Sequence, residues 1–440
     1  MQTNLESGNE SMTKESNDSD QPLIEPETKD REGSVPEANN ENQNKDILLA
    51  SLIEKKLEQA SNPFSVDRCI YRIPDLLRKH NEKAFVPFLV SIGPLHRGNE
   101  NLKTMEEVKR SYSRCLLDLD RKPPPEPNLE YLVTAIRTIE QACRNCYPEN
   151  IGMTTDEFIK MMVIDGCFIL EFCYRFARYA GEVSADSEDR LFSTSWMRLA
   201  VLNDLVLLEN QIPWIALECL FSRTSKLEKP DLSELIQNTF NAYTGGLPPK
   251  PSDENLKYRH LLDFIRNSLL GSYGRSQSNA SSEVSHMIPS VTELRLAGVK
   301  FRYRNGGDKM LKITLKNGVM KIPSISVLEE NKESLLGNLI AYEQCQHGLG
   351  YQITSYVLLL DSLLKSRKDV KFLFEKKILE KVWSSKEVAG FFSRVYINTR
   401  LYKYSYPEVQ EEVNAYLASP WHKWKMILRR DYLKNPCSSS

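Results

Sequence analysis

The sequence predicts a mainly α, multi-helical protein with one small antiparallel β meander, an α+β fold only at the margin. Three observations predict it. Apolar residues recur at helical spacing along most of the chain, and proline and glycine divide that text into separate helices. Only around residues 299–327 does the period fall from 3.6 to 2. With 440 residues, 41% hydrophobic and 27% charged, the chain is long enough to bury a large core.

Residues 1–46 read as a disordered acidic arm, with twelve acids against four bases, a net of −8. The whole chain carries −1, so the remainder is a mildly basic body of +7. At Ile47 a domain running to residue 436 begins with a helix on Leu48, Leu49, Leu52, Ile53 and Leu57, stopped at Ser61-Asn62-Pro63. Pro74, Pro87 and Gly93-Pro94 then cut residues 69–98 into short pieces joined by tight turns. An amphipathic helix follows at 102–119, with Met105, Val108, Tyr112 and Leu116 on its apolar stripe, and another at about 128–146.

The body is organised around Met161 to Cys173, an apolar run with the pattern of a central helix. Glu157, Lys160, Glu171, Arg175 and Arg178 share one stripe of it, and Thr154 or Thr155 can cap it with Glu157 at its positive end. Asp165 falls off that stripe, on a side that should be buried, so it needs a partner or a raised pKa. A second apolar segment, 199–221, breaks at Glu209-Asn210-Gln211 ahead of Pro213; this is where a helix hairpin would turn, its loose amides needing side-chain partners.

Residues 271–285 are rich in Gly and Ser and read as a flexible loop. Val299, Phe301 and Tyr303 then alternate with Lys300, Arg302 and Arg304, and Asn305-Gly306-Gly307 makes a turn. Leu311, Ile313 and Leu315 form a second strand, and past Asn317-Gly318 a third completes the meander. Helices return at Leu335 and continue to the C-terminus.

No set of residues announces a reaction. Asp165, Glu209 and Glu343 lie in apolar text and would make an acid/base cluster if their helices met; His96, beside the Gly93-Pro94 turn, is the candidate general base. The six histidines are widely spread and Cys143-x-x-Cys146 has no second pair, so no metal or other cofactor is expected. Phosphate-loop and nucleic-acid motifs are absent, and nucleic acid is not an expected partner. Nine cysteines without a secretory leader read as reduced thiols of a cytosolic compartment. Asp165 and Glu171 interrupt the best spanning candidate below the ~18 apolar residues needed.

The end of the chain concentrates Trp421, Lys423, Trp424, Lys425, Arg429, Arg430 and Tyr432. Tryptophan and tyrosine beside lysine and arginine is the composition of a membrane–water interface and suits an anionic membrane surface. Cys437 is the fourth residue from the end, the position of a prenylated cysteine, although the two following positions are not aliphatic.

The stretches CIYRIPDLL (69–77), VSIGPLHRG (90–98), MMVIDGCFILEF (161–172), LLENQIPW (207–214), IPSVTELRLAGVKF (288–301), NLIAYEQC (338–345) and WHKWKMILRRDYLKNP (421–436) resemble the plant family called domain of unknown function 247. The resemblance covers about Lys45 to Pro436, in order. It implies a plant protein with a helical domain of no established activity. It also implies a membrane protein with one spanning helix after the position of Asn435-Pro436, and some relatives are linked to pollen-side self-incompatibility in grasses. Here a short tail, residues 437–440, stands where that helix would start. The expectation is a non-enzymatic recognition or scaffold protein, in signalling or self-incompatibility-type recognition, membrane-associated on the cytoplasmic side. Its protein partner is not named by the sequence. The alternatives are a soluble cytoplasmic protein and an enzyme using a carboxylate cluster around Asp165.

Overall fold

The computed structural model describes residues 38–58, 68–119, 129–148, 151–179, 189–224, 231–244, 257–271, 288–304, 311–325, 331–379, 385–422 and 424. The first helix, α1 (Ala38–Glu58), belongs to a compact unit of its own, Met1–Asn62. It starts ahead of the expected Ile47 because Asn, Glu and Gln extend a helix without adding any apolar period that would reveal them. Residues 1–37 of the predicted acidic arm, 272–285 of the predicted flexible loop and the tail 437–440 lie outside the described residues.

The second unit, Pro63–Ser440, is built from helices with one small sheet. Its first half runs through α2 (Asp75–Arg78), α3 (Lys103–Leu116), α4 (Leu129–Thr138), α5 (Glu140–Asn145), α6 (Thr155–Tyr179), α7 (Arg190–Ser193), α8 (Ser195–Leu205), α9 (Trp214–Ser222), α10 (Leu232–Thr244) and α11 (Leu261–Leu270). Then come α12 (Val291–Ala297), β1 (Lys300–Arg304), β2 (Thr314–Lys316) and β3 (Val319–Pro323). The chain continues through α13 (Asn331–Cys345), α14 (Gln352–Leu363), α15 (Arg367–Glu375), α16 (Ser385–Tyr396) and α17 (Pro407–Ala418).

The long helix α6 is the centre its sequence promised: α3, α4, α9 and α10 pack around it. Phe158, Met161, Met162, Cys167, Phe168, Leu170, Phe172 and Cys173 are buried because the helix has no continuous polar face. Its start is a capping box, with Thr154 N–H donating to Glu157 Oε2 at 2.9 Å and Glu157 N–H to Thr154 Oγ1 at 3.3 Å. Those bonds from Thr154 hold the Glu157 carboxyl below its usual range. The polar stripe reaches solvent only near its ends; Glu171 is buried and accepts from Arg175 Nε at 2.9 Å. Gly166 lets α9 approach closely, since a Cβ there would strike Leu220 Cδ1.

The sheet corrects the expected meander. Its order is β1-β3-β2, with β1 parallel to β3 and only β2 and β3 antiparallel. The tight hairpin lies at Asn317-Gly318, both with positive φ (50° and 72°), the geometry of a type I′ turn. The expected Asn305-Gly306-Gly307 turn lies outside the described residues, and it is β3 that takes the place beside β1, in the register Lys300↔Val319. Period-2 patterning locates strands but is blind to their order, because it records only which face is buried.

Candidate functional site

Asp165 has no exposure, and neither does Lys109 of α3, whose ammonium donates to Asp165 Oδ1 at 2.6 Å. Lys109 also donates to the Ser91 carbonyl at 2.8 Å and pairs with Glu106 at 2.6 Å, while the Gly93 N–H donates to Asp165 Oδ2 at 2.9 Å. Burial pushes the Asp165 carboxyl above the usual carboxylate range, against the pull of Lys109 and the Gly93 amide. The pair fastens the 91–93 turn to the two central helices. Gly93 is required in that turn: its φ is +72°, and a Cβ would run into the Gln211 carbonyl oxygen.

Glu209 sits between α8 and α9, where the helices break as expected. Its Oε1 accepts the Ile73 N–H at 2.6 Å and pairs with Arg78, and its Oε2 lies 3.2 Å from His96 Nε2. Those two facing atoms are buried and have no other partner among the described residues. Burial would raise the Glu209 carboxyl, but the His96 imidazole, Arg78 and the Ile73 amide outweigh it and hold the group at about 2. The cluster comes near the surface on one side, where the side chains of His96 and Arg78 are 12% and 19% exposed.

Glu343 closes the start of α14. It accepts the N–H groups of Ile353 at 3.0 Å and Thr354 at 2.9 Å, the Thr354 hydroxyl at 2.8 Å, and Arg266 at 2.8 Å. Of the four candidates, the structure therefore brings His96 and Glu209 into contact. Asp165 connects to them through the Gly93 turn, and Glu343 has a different set of partners.

The neighbours of Glu209 extend the pattern. Asp204 accepts the N–H groups of Phe88, Leu89 and Val90 at 2.8, 2.7 and 2.8 Å, and burial raises its carboxyl to about 6. Asn210 Oδ1 accepts from Ile92 N–H at 2.7 Å, and its amide donates to the carbonyls of Val90 and Asp204 at 3.0 Å. Gln211 donates to the carbonyls of Leu205 and Leu207 and accepts from Leu262 N–H. Asn338 of α13 accepts from Leu208 N–H at 2.9 Å and donates to the Ala84 carbonyl at 2.9 Å. Buried His260 accepts the Asp263 N–H at Nδ1 and faces the Cys69 carbonyl with Nε2 at 3.0 Å, which fixes the neutral Nε2–H tautomer. Burial holds it down at about 3.

Within 69–98 the amides of Ile73, Phe88, Leu89, Val90, Ile92 and Gly93 are taken by the side chains of Glu209, Asp204, Asn210 and Asp165. Sequence reasoning missed Lys109, Asp204, Asn338 and His260 as members. The signal was available for Lys109, four residues after Met105 and three before Tyr112 on an apolar stripe, and for Asp204, set among Leu202, Leu205 and Val206.

At the C-terminal end Trp421 and Trp424 are 69% and 64% exposed, while His422 stacks on Tyr416 with ring centroids 3.8 Å apart. The side chain of Lys423, and Lys425, Arg429, Arg430, Tyr432 and Cys437, lie outside the described residues. Two surface grooves are lined by other residues. One, of about 700 Å³, lies between the Asn317-Gly318 hairpin and Tyr416. The other, of about 830 Å³, runs along β1 beside α12 and α15 and carries four cations. Cys143 and Cys146 are both free thiols, and among the described residues no three His, Cys, Asp or Glu side chains gather as a metal site would require.

A mainly helical protein with a small mixed sheet and a hydrogen-bonded polar centre is the class this geometry defines. The chain belongs to a plant family of unknown function, domain of unknown function 247, whose signature matches residues 70–440. It is similar to UPF0481 protein At3g47200 of Arabidopsis thaliana, 31% identical over 353 residues, which cover 74% of this chain and 72% of that one. It is also similar to Putative UPF0481 protein At3g02645 of the same plant, 22% identical with 85% of each chain covered. No solved structure matches the chain.

Proposed function

We propose that this chain is a non-enzymatic recognition or scaffold protein attached peripherally to the cytoplasmic face of a membrane, in signalling or self-incompatibility-type recognition. The observation that carries the reading is the exposed pair Trp421 and Trp424, at 69% and 64%, in a basic stretch. Indole rings beside lysine and arginine favour the headgroup region of an anionic leaflet. Among the described residues no helix is long and apolar enough to cross a membrane. The inward commitment of Asp165, Glu209 and Glu343 supports the non-enzymatic part.

Vesicle flotation tests it. The chain is expected to float with phosphatidylserine vesicles at low salt, less at high salt, and to stay down when Trp421→Ala and Trp424→Ala are combined. Equal recovery on neutral and anionic vesicles, insensitive to salt, removes the proposal. In plant cells, release by Cys437→Ser alone would assign the attachment to a lipid on that cysteine.

The His96–Glu209 contact favours a second reading, an acid/base enzyme centred on that near-surface pair next to the Asp165 turn. Hydrolysis of a chromogenic ester that His96→Gln abolishes without lowering the melting temperature would support it; turnover equal in both proteins removes it.

A further inference from the structure

The groove along β1 is lined by cations and aromatic rings. Its lining contains Arg295, Lys300, Arg302 and Lys376 with Tyr303 and Phe372, and among the described residues no carboxylate. Asp369, at the start of α15, is turned inward: it is 1% exposed and accepts from Thr292 N–H at 2.6 Å and from Ser366 N–H at 2.8 Å. Glu293 of α12 is engaged by Ser290 in a capping box. The groove thus presents several positive charges with an aromatic floor, and Arg295 lies 3.6 Å above the Phe372 ring.

Along this groove runs a sheet edge. β1 pairs only with β3 among the described strands, and Lys300 N–H donates to the Gly318 carbonyl at 2.8 Å. Backbone groups alternate sides along a strand, so the N–H and C=O of Phe301 and Tyr303 point the other way. Neither β2 nor β3 contributes to the groove lining, which places the groove on that open side. An edge of this kind is a template for another strand unless its charges repel the newcomer. Lys300, Arg302 and Arg304 repel a second copy of the same edge, which would bring the same cations. They attract a strand of opposite sign.

We infer that β1 is a docking edge for an extended acidic peptide, which adds as a fourth strand while its carboxylates face Arg295, Lys300, Arg302 and Lys376. Main-chain hydrogen bonds to Phe301 and Tyr303 supply affinity, and the cations and the Tyr303 and Phe372 rings select an alternating acidic and apolar sequence. This deepens the recognition part of the proposed function and is independent of membrane attachment, which flotation reads separately.

The test uses the full chain and a fluorescein-labelled peptide of alternating glutamate and valine, read by fluorescence anisotropy at low and high salt. Binding is expected, weakened by salt and by at least about tenfold in Arg302→Glu/Lys376→Glu. Both positions are exposed, and unchanged circular dichroism and melting of the variant confirm that it folds; Lys376→Ser gives the same direction with a smaller change. The same peptide N-methylated on consecutive central amides is expected not to bind, nor is an alternating lysine–valine peptide. The proposal is overturned by no binding at low salt, by equal binding of the N-methylated peptide, by equal binding to the double variant, or by a single-stranded RNA oligomer binding more tightly than the acidic peptide.

Discussion

The interior between Asp204 and Gln211 and the groove along β1 are both crowded with polar groups, and they treat them in opposite ways. Asp204, Glu209, Asn210 and Gln211 are exposed by 2% or less, and their side chains bond to amides and carbonyls of the backbone, and in Glu209 also face Arg78 and His96. In the groove Lys300, Arg302 and Lys376 stay in water beside a strand edge that has no partner among the described residues. Desolvation explains the difference. A buried polar group without a partner costs about 1–3 kcal/mol, so interior polar residues must be matched within the chain, whereas surface ones remain available to a partner. Polar residues inside this protein are matched within the chain; those of the groove stay in contact with water.

The largest effect should come from breaking the interior at its driest point. Lys109→Met leaves the buried Asp165 carboxyl without its ion-pair partner and should cost about 3–5 kcal/mol in urea unfolding, while adding Asp165→Leu should recover most of that loss. A single-variant cost below about 1 kcal/mol would mean that water reaches the pair and that the contrast with the groove is false. Gly93→Ala should follow at about 3 kcal/mol, combining the ~1–2 kcal/mol of left-handed strain with the collision against the Gln211 carbonyl.

Acid sharpens the comparison next. His260 is held at about 3 against 6.5 when unfolded, so the unfolded chain binds the extra proton first, and stability present above pH 6.5 is lost as pH falls towards 3. Between pH 6.5 and pH 5 that loss is about 2 kcal/mol. Glu209, held at about 2 from 4.5, adds a loss of the same sign at lower pH. Asp204, raised to about 6, acts oppositely as its ionisation in the folded protein lags that in the unfolded chain, so melting of His260→Gln against the parent isolates the histidine. The smallest effect belongs to the groove: Arg302→Glu/Lys376→Glu should change stability by no more than about 0.5 kcal/mol while removing peptide binding. A large stability loss there would show that these cations serve the fold.

Much of the site was legible, but under a different meaning. Asp165 and the Glu209-Asn210-Gln211 break stand out because polar residues interrupt apolar text, and both proved central. Periodicity could not say what they hold, because the partners of Asp165 are 56 and 72 residues away, and that of Asn210 Oδ1 is 118 away. The resemblance motifs explain each other in the same way. Ile73 with Glu209, Gly93 with Asp165, Ile92 with Asn210, and Leu208 with Asn338 each join two of the stretches that carry the family likeness. The groove was not legible, since its cations come from α12, β1 and the end of α15, and only the fold brings these three segments together.

By itself the sequence determined the helical class, the burial of α6, the break before Pro213 and the location of the strands. All of these follow from the local alternation of apolar and polar residues and from backbone limits at proline and glycine. Tertiary structure alone decided that β3 separates β1 from β2, that Lys109 neutralises Asp165, that His96 meets Glu209 and that four cations share one groove. These depend on which distant segments meet, and local patterning carries no record of that.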